Sequence, residues 1–290
     1  MIANNPILNK NAVSHLEEIL KSVASDKEVL WLQIQMEDLV EKQSTRDFYL
    51  TYTLIRQRFS DTPALLSTSD DKLDQYLYTH DAKAYEVARI LLLNFVLDAD
   101  PEFFRDKVQH LIEVADRKEL ESFLKFLVLL PNPEEYRFTA VEALRTNISD
   151  IFDAISLENP YPALYFNEQQ WNQMYLKAAF MQRPLQKIMY VEDRANAELT
   201  RIISDYAHER WAAGRTIDPM IWRPVAKFLD PTILNDIKRL INSDDPAENK
   251  AALLVCAAAD TPEAAELLVL HSPDPERLRS ESINWNNLNT

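Results

Sequence analysis

Asp230-Pro-Thr-Ile-Leu-Asn-Asp-Ile-Lys-Arg-Leu-Ile241, followed by Asp245-Pro246-Ala-Glu248 and Thr261-Pro262-Glu263, reads as three successive helix starts. A small polar residue at the N-cap accepts hydrogen bonds from the free N–H groups of the first turn. Proline fits the next position, where its missing N–H costs nothing and its fixed φ is already helical. The same grammar recurs at Thr62-Pro63, Asp100-Pro101, Asn132-Pro133, Asp218-Pro219 and Asp274-Pro275. Of the 15 prolines, all but Pro131, Pro162, Pro184 and Pro224 directly follow Asp, Asn, Ser or Thr. Glu102, Glu134, Glu248, Glu263 and Glu276 fall in the first turns, where a negative charge meets the positive end of the helix dipole.

Between these starts the apolar residues recur at helical spacing, as in Leu16, Ile19, Leu20 and Val23, and then Val29, Leu30, Trp31 and Ile34. Tyr85 to Leu97 and Leu120 to Leu130 are apolar on most sides and read as central helices. The fold class is therefore all-α: stacked antiparallel helix pairs, as a HEAT-like α-solenoid or an irregular helical bundle. Pro219, Pro246 and Pro275 lie 27 and 29 residues apart, which favours stacking, although no motif recurs with that period. Residues 1–290 read as a single all-α domain, with two helical halves allowed by a crossover near 156–166, where Ser156-Leu-Glu-Asn-Pro-Tyr-Pro-Ala-Leu-Tyr165 interrupts the helical pattern. Asp61 to Asp71 reads as a lesser loop, and the Asn-rich tail 280–290 as loose.

A single glycine, Gly214, excludes every Gly-rich phosphate-binding loop and the nucleophile elbow, which need two or more. Hydrophobic residues at 47% and charged residues at 27% describe an ordinary globule. With 31 basic against 46 acidic residues, the formal net charge of −15 disfavours nucleic acid and anionic membrane. A local basic cluster could override it, so peripheral membrane contact stays open, with no transmembrane segment expected. Cys256 lies in an apolar run and reads as a buried small hydrophobe. The first residues, Met-Ile-Ala-Asn-Asn-Pro, lack a secretory n-region, and a cytoplasmic location is expected.

Residues 166–229 differ from the rest because polar and aromatic side chains stand where a plain structural helix needs neither. They include Phe166-Asn-Glu-Gln-Gln-Trp171-Asn172-Gln-Met-Tyr-Leu-Lys177, then Arg194-Ala-Asn196-Ala-Glu198-Leu, Asp205-Tyr206-Ala-His208-Glu209-Arg210-Trp211-Ala-Ala-Gly214-Arg215, and Asp218-Pro-Met-Ile-Trp222-Arg223-Pro224. This segment closely resembles the EboA family of metabolite-traffic proteins. The run Asp205 to Arg215 is its specific part; elsewhere the likeness is one of helical length and loose pattern. Where the family carries a small residue, often Gly, after the Lys-bearing helix, this chain has Met181-Gln182-Arg183-Pro184. The resemblance implies a helical cytoplasmic protein of a bacterial gene cluster that moves secondary-metabolite precursors, or helps modify them, on the way to the periplasm. It assigns the family no biochemical activity.

The residues themselves say more. On a helix from Ala195 to Ala213, Leu199, Ile202, Ile203, Tyr206 and Ala213 gather into a core stripe, while Arg201, Ser204, Asp205, His208 and Trp211 spread over the other side. A solvated face has little use for Trp, so this side should meet a helix or a ligand. Gly214 is the natural left-handed residue ending that helix. Arg201, Asp205 and His208 are spaced for an Arg–Asp–His chain, readable as a structural network, a ligand contact or a general base. The second histidine of a zincin pattern is replaced by Ala212, and His15, His80, His110 and His271 stand in polar contexts, so no metal, no cofactor and no catalytic residue is assigned. Trp171, Met174, Tyr175 and Ala178 share one face and Leu176 and Phe180 the other, which should nearly surround the helix and leave Lys177 to ion-pair with a carboxylate or to snorkel.

These residues predict a non-catalytic binding or adaptor protein. The expected ligand or partner contacts are Trp171, Asn172, Lys177, Arg194, Asn196, Asp205, His208, Glu209, Trp211, Arg215 and Trp222, met by a small-molecule metabolite or by proteins of the same gene cluster. Trp171, Trp211 and Trp222 would form planar walls, and at least one of Lys177, Arg194 and Arg215 should be partly exposed in a concave surface. The basic groups should pair with Glu198, Asp205, Glu209 or Asp193. The alternatives are an enzyme using His208 and Asp205 as a general-base pair, and a pure interaction scaffold.

Overall fold

The computed structural model describes Ile7, residues 12–67, Ser69, residues 71–272, Trp285 and Leu288. It is all-α: among the described residues no strand forms, and one isolated antiparallel bridge joins Pro63 and Lys83. No described helix is long and apolar enough to cross a membrane. Contacts divide the chain into two compact units, Ile2–Tyr165 and Phe166–Thr290.

In the first unit the helix Ala84–Ala99 is central. It packs against Ala12–Val23, Asp26–Lys42, Thr45–Arg58, Pro101–Gln109 and Arg117–Phe126. Its near-continuous apolar run explains that position, since only a helix covered on most sides buries Val87, Ala88, Ile90, Leu91, Leu92, Leu93, Val96 and Leu97 together. The sequence reading of this region as almost purely apolar needs correction. Arg89, Glu86 and Glu119 are all buried, and Arg89 lies 3.6 Å from Glu119, over the Tyr52 ring, and donates to Ser122 Oγ at 3.2 Å. Ser122 in turn donates to Glu86 at 3.1 Å. Each glutamate also accepts the backbone N–H at its own helix start, Lys83 or Asp116, so both carboxylates are satisfied.

In the second unit the helices Glu168–Phe180 and Ala197–Ala212 pack together. The second also meets the 3-10 helix Pro219–Phe228 and the helix Pro231–Ile241. Pro231–Ile241 continues into Pro246–Ala258 and Pro262–His271, each packed on its predecessor. The starts at Asp100, Asp230, Asp245 and Thr261 form as expected, each with its side chain accepting first-turn N–H groups. Asn132 and Asp218 open 3-10 rather than α-helices. Thr62-Pro63 starts no helix, because backbone bonds to Ala82 and Ala84 hold that stretch extended. The start at Asp274-Pro275 lies outside the described residues, as does the tail 280–290 apart from Trp285 and Leu288; Leu288 is buried and accepts from Lys250 Nζ at 3.4 Å.

Candidate functional site

The second unit builds its polar features around the helix Ala197–Ala212. Asn196 is the N-cap, its Oδ1 accepting from Leu199 N at 2.8 Å. The same amide exchanges two hydrogen bonds with Asn172, at 2.9 and 3.1 Å. Asn172 is buried, so this reciprocal pair locks the start of one helix to the middle of the other. Both amides are thereby committed to internal partners.

The helix face itself is rotated from the expected one. Leu199, Thr200, Ile203, Ser204 and Ala207 are buried, while Ala213 is exposed and Ile202 and Tyr206 are only half-buried. Ser204 turns inward because Asp236 of the helix Pro231–Ile241 waits there: Ser204 Oγ donates to Asp236 Oδ2 at 2.6 Å. His208 Nε2 meets the other oxygen, Oδ1, at 2.6 Å. The expected Asp205–His208 contact is therefore not formed. Exposed Asp205 takes Arg201 Nη1 at 2.5 Å, a surface pair that leaves His208 to the buried carboxylate. Asp236 was missed in the sequence, yet it left a signal. It stands with Ile233, Ile237 and Leu240 on one stripe, where a carboxylate is out of place without a buried partner.

The tryptophans divide. Trp171 and Trp222 are core residues with 1% and 0% exposure, so neither is an open wall. Trp211 is half-buried, lying nearly parallel to Trp222 with centroids 6.1 Å apart, with the Arg239 guanidinium 4.1 Å over its ring. The His208 ring lies 5.6 Å away. Half-buried Arg194 stacks 5.1 Å over Trp171 and donates to Phe166 O at 2.9 Å. Burial lowers its pKa, and burial likewise pulls the half-buried Lys177 below the ordinary lysine value. Phe180 is 74% exposed, so the helix Glu168–Phe180 is not surrounded as the sequence suggested. Glu209 and Arg215 are exposed.

Among the described residues, three buried side-chain donors have no acceptor: Trp171 Nε1, Trp222 Nε1 and Arg223 Nη1. All belong to the second unit. The remaining guanidinium nitrogens of Arg223 grip Glu192 bidentately at 2.8 and 2.9 Å, which fixes the orphan Nη1 in place. Buried donors without partners are rare in folded proteins and each costs about 1–3 kcal/mol, so their concentration here marks the unit as chemically unfinished. Outside it, His15, Asp71 and Asp74 each offer one ligand atom within 4.8 Å of the others. Those atoms already have duties: His15 Nε2 meets Asp74 at 2.7 Å, and Asp71 caps the helix Lys72–Thr79.

A family model described as metabolite traffic protein EboA matches residues 12–226. The chain belongs to the EboA family. Its match begins at the first described helix and ends inside Pro219–Phe228, well beyond the central segment where the likeness is plainest in the sequence. Asp236 and Arg239 therefore join the EboA segment from outside the matched region. No curated protein and no solved structure matches the chain.

Proposed function

We propose that this EboA-family chain is a non-catalytic binding or adaptor protein that carries a secondary-metabolite precursor, from the cytoplasm, toward export to the periplasm. Membership of a metabolite-traffic family supports the role. The observation that carries the binding site is the set of unpartnered buried donors, Trp171 Nε1, Trp222 Nε1 and Arg223 Nη1, within residues 166–229. These donors are enclosed in the empty chain, so a ligand rich in carbonyl or phenolic oxygens would supply their acceptors as it opens the unit. Trp211, partly open above Trp222, would offer it a planar apolar surface, and exposed Arg215 a cation.

The test is to purify the protein from cells that carry its gene cluster and to follow bound small molecules and their turnover together. The proposal predicts a stoichiometric small molecule released unchanged on denaturation. A second reading has one observation in its favour: the exposed His208 imidazole is held by a buried carboxylate that Ser204 orients, which is how a general base is positioned. Turnover by the purified protein, lost in His208→Ala and Asp236→Asn variants of unchanged helicity, would replace the adaptor reading with that one.

A further inference from the structure

The helices Ala12–Val23, Asp26–Lys42 and Ala84–Ala99 leave a cavity of about 370 Å³ in the unit Ile2–Tyr165, remote in sequence from the segment discussed above. Its volume lies in the range of small-molecule pockets. Leu20, Val29, Leu32, Met36 and Leu91 make its wall apolar.

One polar group is set into that wall. Asn94 is 5% exposed, in a run with buried Leu91, Leu92, Leu93, Val96 and Leu97. Its Nδ2 donates to Ile90 O, one turn back in the same helix, at 2.9 Å. Its Oδ1 receives no hydrogen bond from any described residue, although Asn94 lines the cavity. The oxygen is not among the fully enclosed atoms without a partner, so its donor must be water or a guest in the cavity, whereas a leucine of similar volume would need neither. The amide N–H is anchored, the oxygen is not, and the cavity is where a donor could reach it. The mouth is charged but unbalanced. Glu17 and Lys21 lie 3.7 Å apart and offset each other, whereas exposed Asp98 has no basic partner among the described residues. A carboxylate-bearing guest would meet that acid with like charge.

We infer that this cavity binds a neutral, largely apolar small molecule of the long-chain alcohol or alkylphenol class, whose single hydroxyl donates to Asn94 Oδ1. This inference is independent of the role assigned to residues 166–229. The probe is N-phenyl-1-naphthylamine, a neutral apolar fluorophore with one N–H donor, titrated into the full chain. One saturable site is expected. Displacement by 1-dodecanol should be at least tenfold stronger than by dodecanoate and at least fivefold stronger than by 1-methoxydodecane, which lacks the donor. Val29→Trp and Met36→Trp, which fill the cavity from half-exposed positions, should each weaken the probe at least tenfold, while Trp211→Ala in the other unit leaves it unchanged. Asn94→Leu should retain the probe site and bind the alcohol and its ether equally. Circular dichroism checks that every variant keeps its helicity. Equal displacement by alcohol and ether in the parent chain, probe binding untouched by both filling variants, or loss of the probe in Trp211→Ala would each overturn the assignment.

Discussion

Gln182 sits at φ +54°, in the left-handed region that glycine normally fills, at the corner after the helix Glu168–Phe180. The corner closes as a Schellman turn: Arg183 N donates to Ala178 O at 2.8 Å and Gln182 N to Ala179 O at 3.1 Å. Gly214, at φ +65°, ends the helix Ala197–Ala212 in the same way, with Arg215 N on Arg210 O at 2.9 Å. The geometry is one and the side chains differ, so opposite substitutions should have opposite effects. Gln182→Gly relieves left-handed strain but loosens the unfolded chain, for a net gain of up to about 1 kcal/mol. Gly214→Val should lose about 1–2 kcal/mol, all of it backbone, since nothing lies within 4 Å of a Cβ built there. Unchanged urea midpoints in both variants would remove the left-handed caps from the account. Gly214 was legible because it is the only glycine. Gln182 was legible only as a departure from the family, since glutamine carries no signal for positive φ.

The His15–Asp74 contact gives a pH dependence at the same scale. The hydrogen bond to Asp74 is the main cause that raises the His15 pKa above its ordinary 6.5, against an opposing effect of burial. A raised folded-state pKa means the folded form holds the proton more tightly than the unfolded one. The stabilisation is therefore full below pH 6.5 and fades as pH rises through the raised value. Wild type should exceed His15→Gln in stability at pH 5.5, with the difference shrinking by pH 8.5. A difference that grows with pH in paired denaturation curves would contradict the protonated contact.

At the scale of elements, the amide pair Asn172–Asn196 joins two helices while one of its members also caps the second. Asn196→Ala should lose about 2–4 kcal/mol, combining a lost cap of about 1 kcal/mol with a buried Asn172 amide left unsatisfied. Asn196→Ser restores a capping oxygen and should recover only the smaller share. Full recovery in denaturant titrations would show that the interhelix pair contributes nothing. Helix starts were readable in the sequence wherever capping was a local event, as at Asp230 and Asp245. Elements failed to follow the local signal where a distant strand of backbone competed, as at Thr62-Pro63. The rotated face of Ala197–Ala212 was hidden for a related reason: Ser204 is buried by a carboxylate 32 positions along the chain, which no helical wheel contains. The buried Arg89–Glu119 contact was hidden too, although Glu119 and Glu86 stand three residues into their helices, where a capping glutamate belongs.

Over the whole molecule, the single glycine excluded Gly-rich phosphate loops, and the helix starts and helical apolar spacing predicted the all-α fold that forms. The candidate site was legible as a segment but less so residue by residue. Trp171, Asn172, Asn196 and Trp222 prove to be core, whereas Arg215, Trp211 and His208 reach solvent to different degrees. That division follows from tertiary burial, which a single sequence does not reveal for an aromatic or an amide. The EboA match covers residues 12–226 and so draws on both units, so the binding role of residues 166–229 calls for a test of its own. Native mass spectrometry of the protein purified from cells carrying its gene cluster addresses this most directly. For residues 166–229 the account predicts a bound small molecule, retained in Val29→Trp and lost in a folded Trp211→Ala/Arg215→Ala double variant, whether or not the separate cavity of the other unit is filled. A bare chain mass, or a double variant that keeps every small molecule carried by the parent chain, would contradict the binding role of residues 166–229.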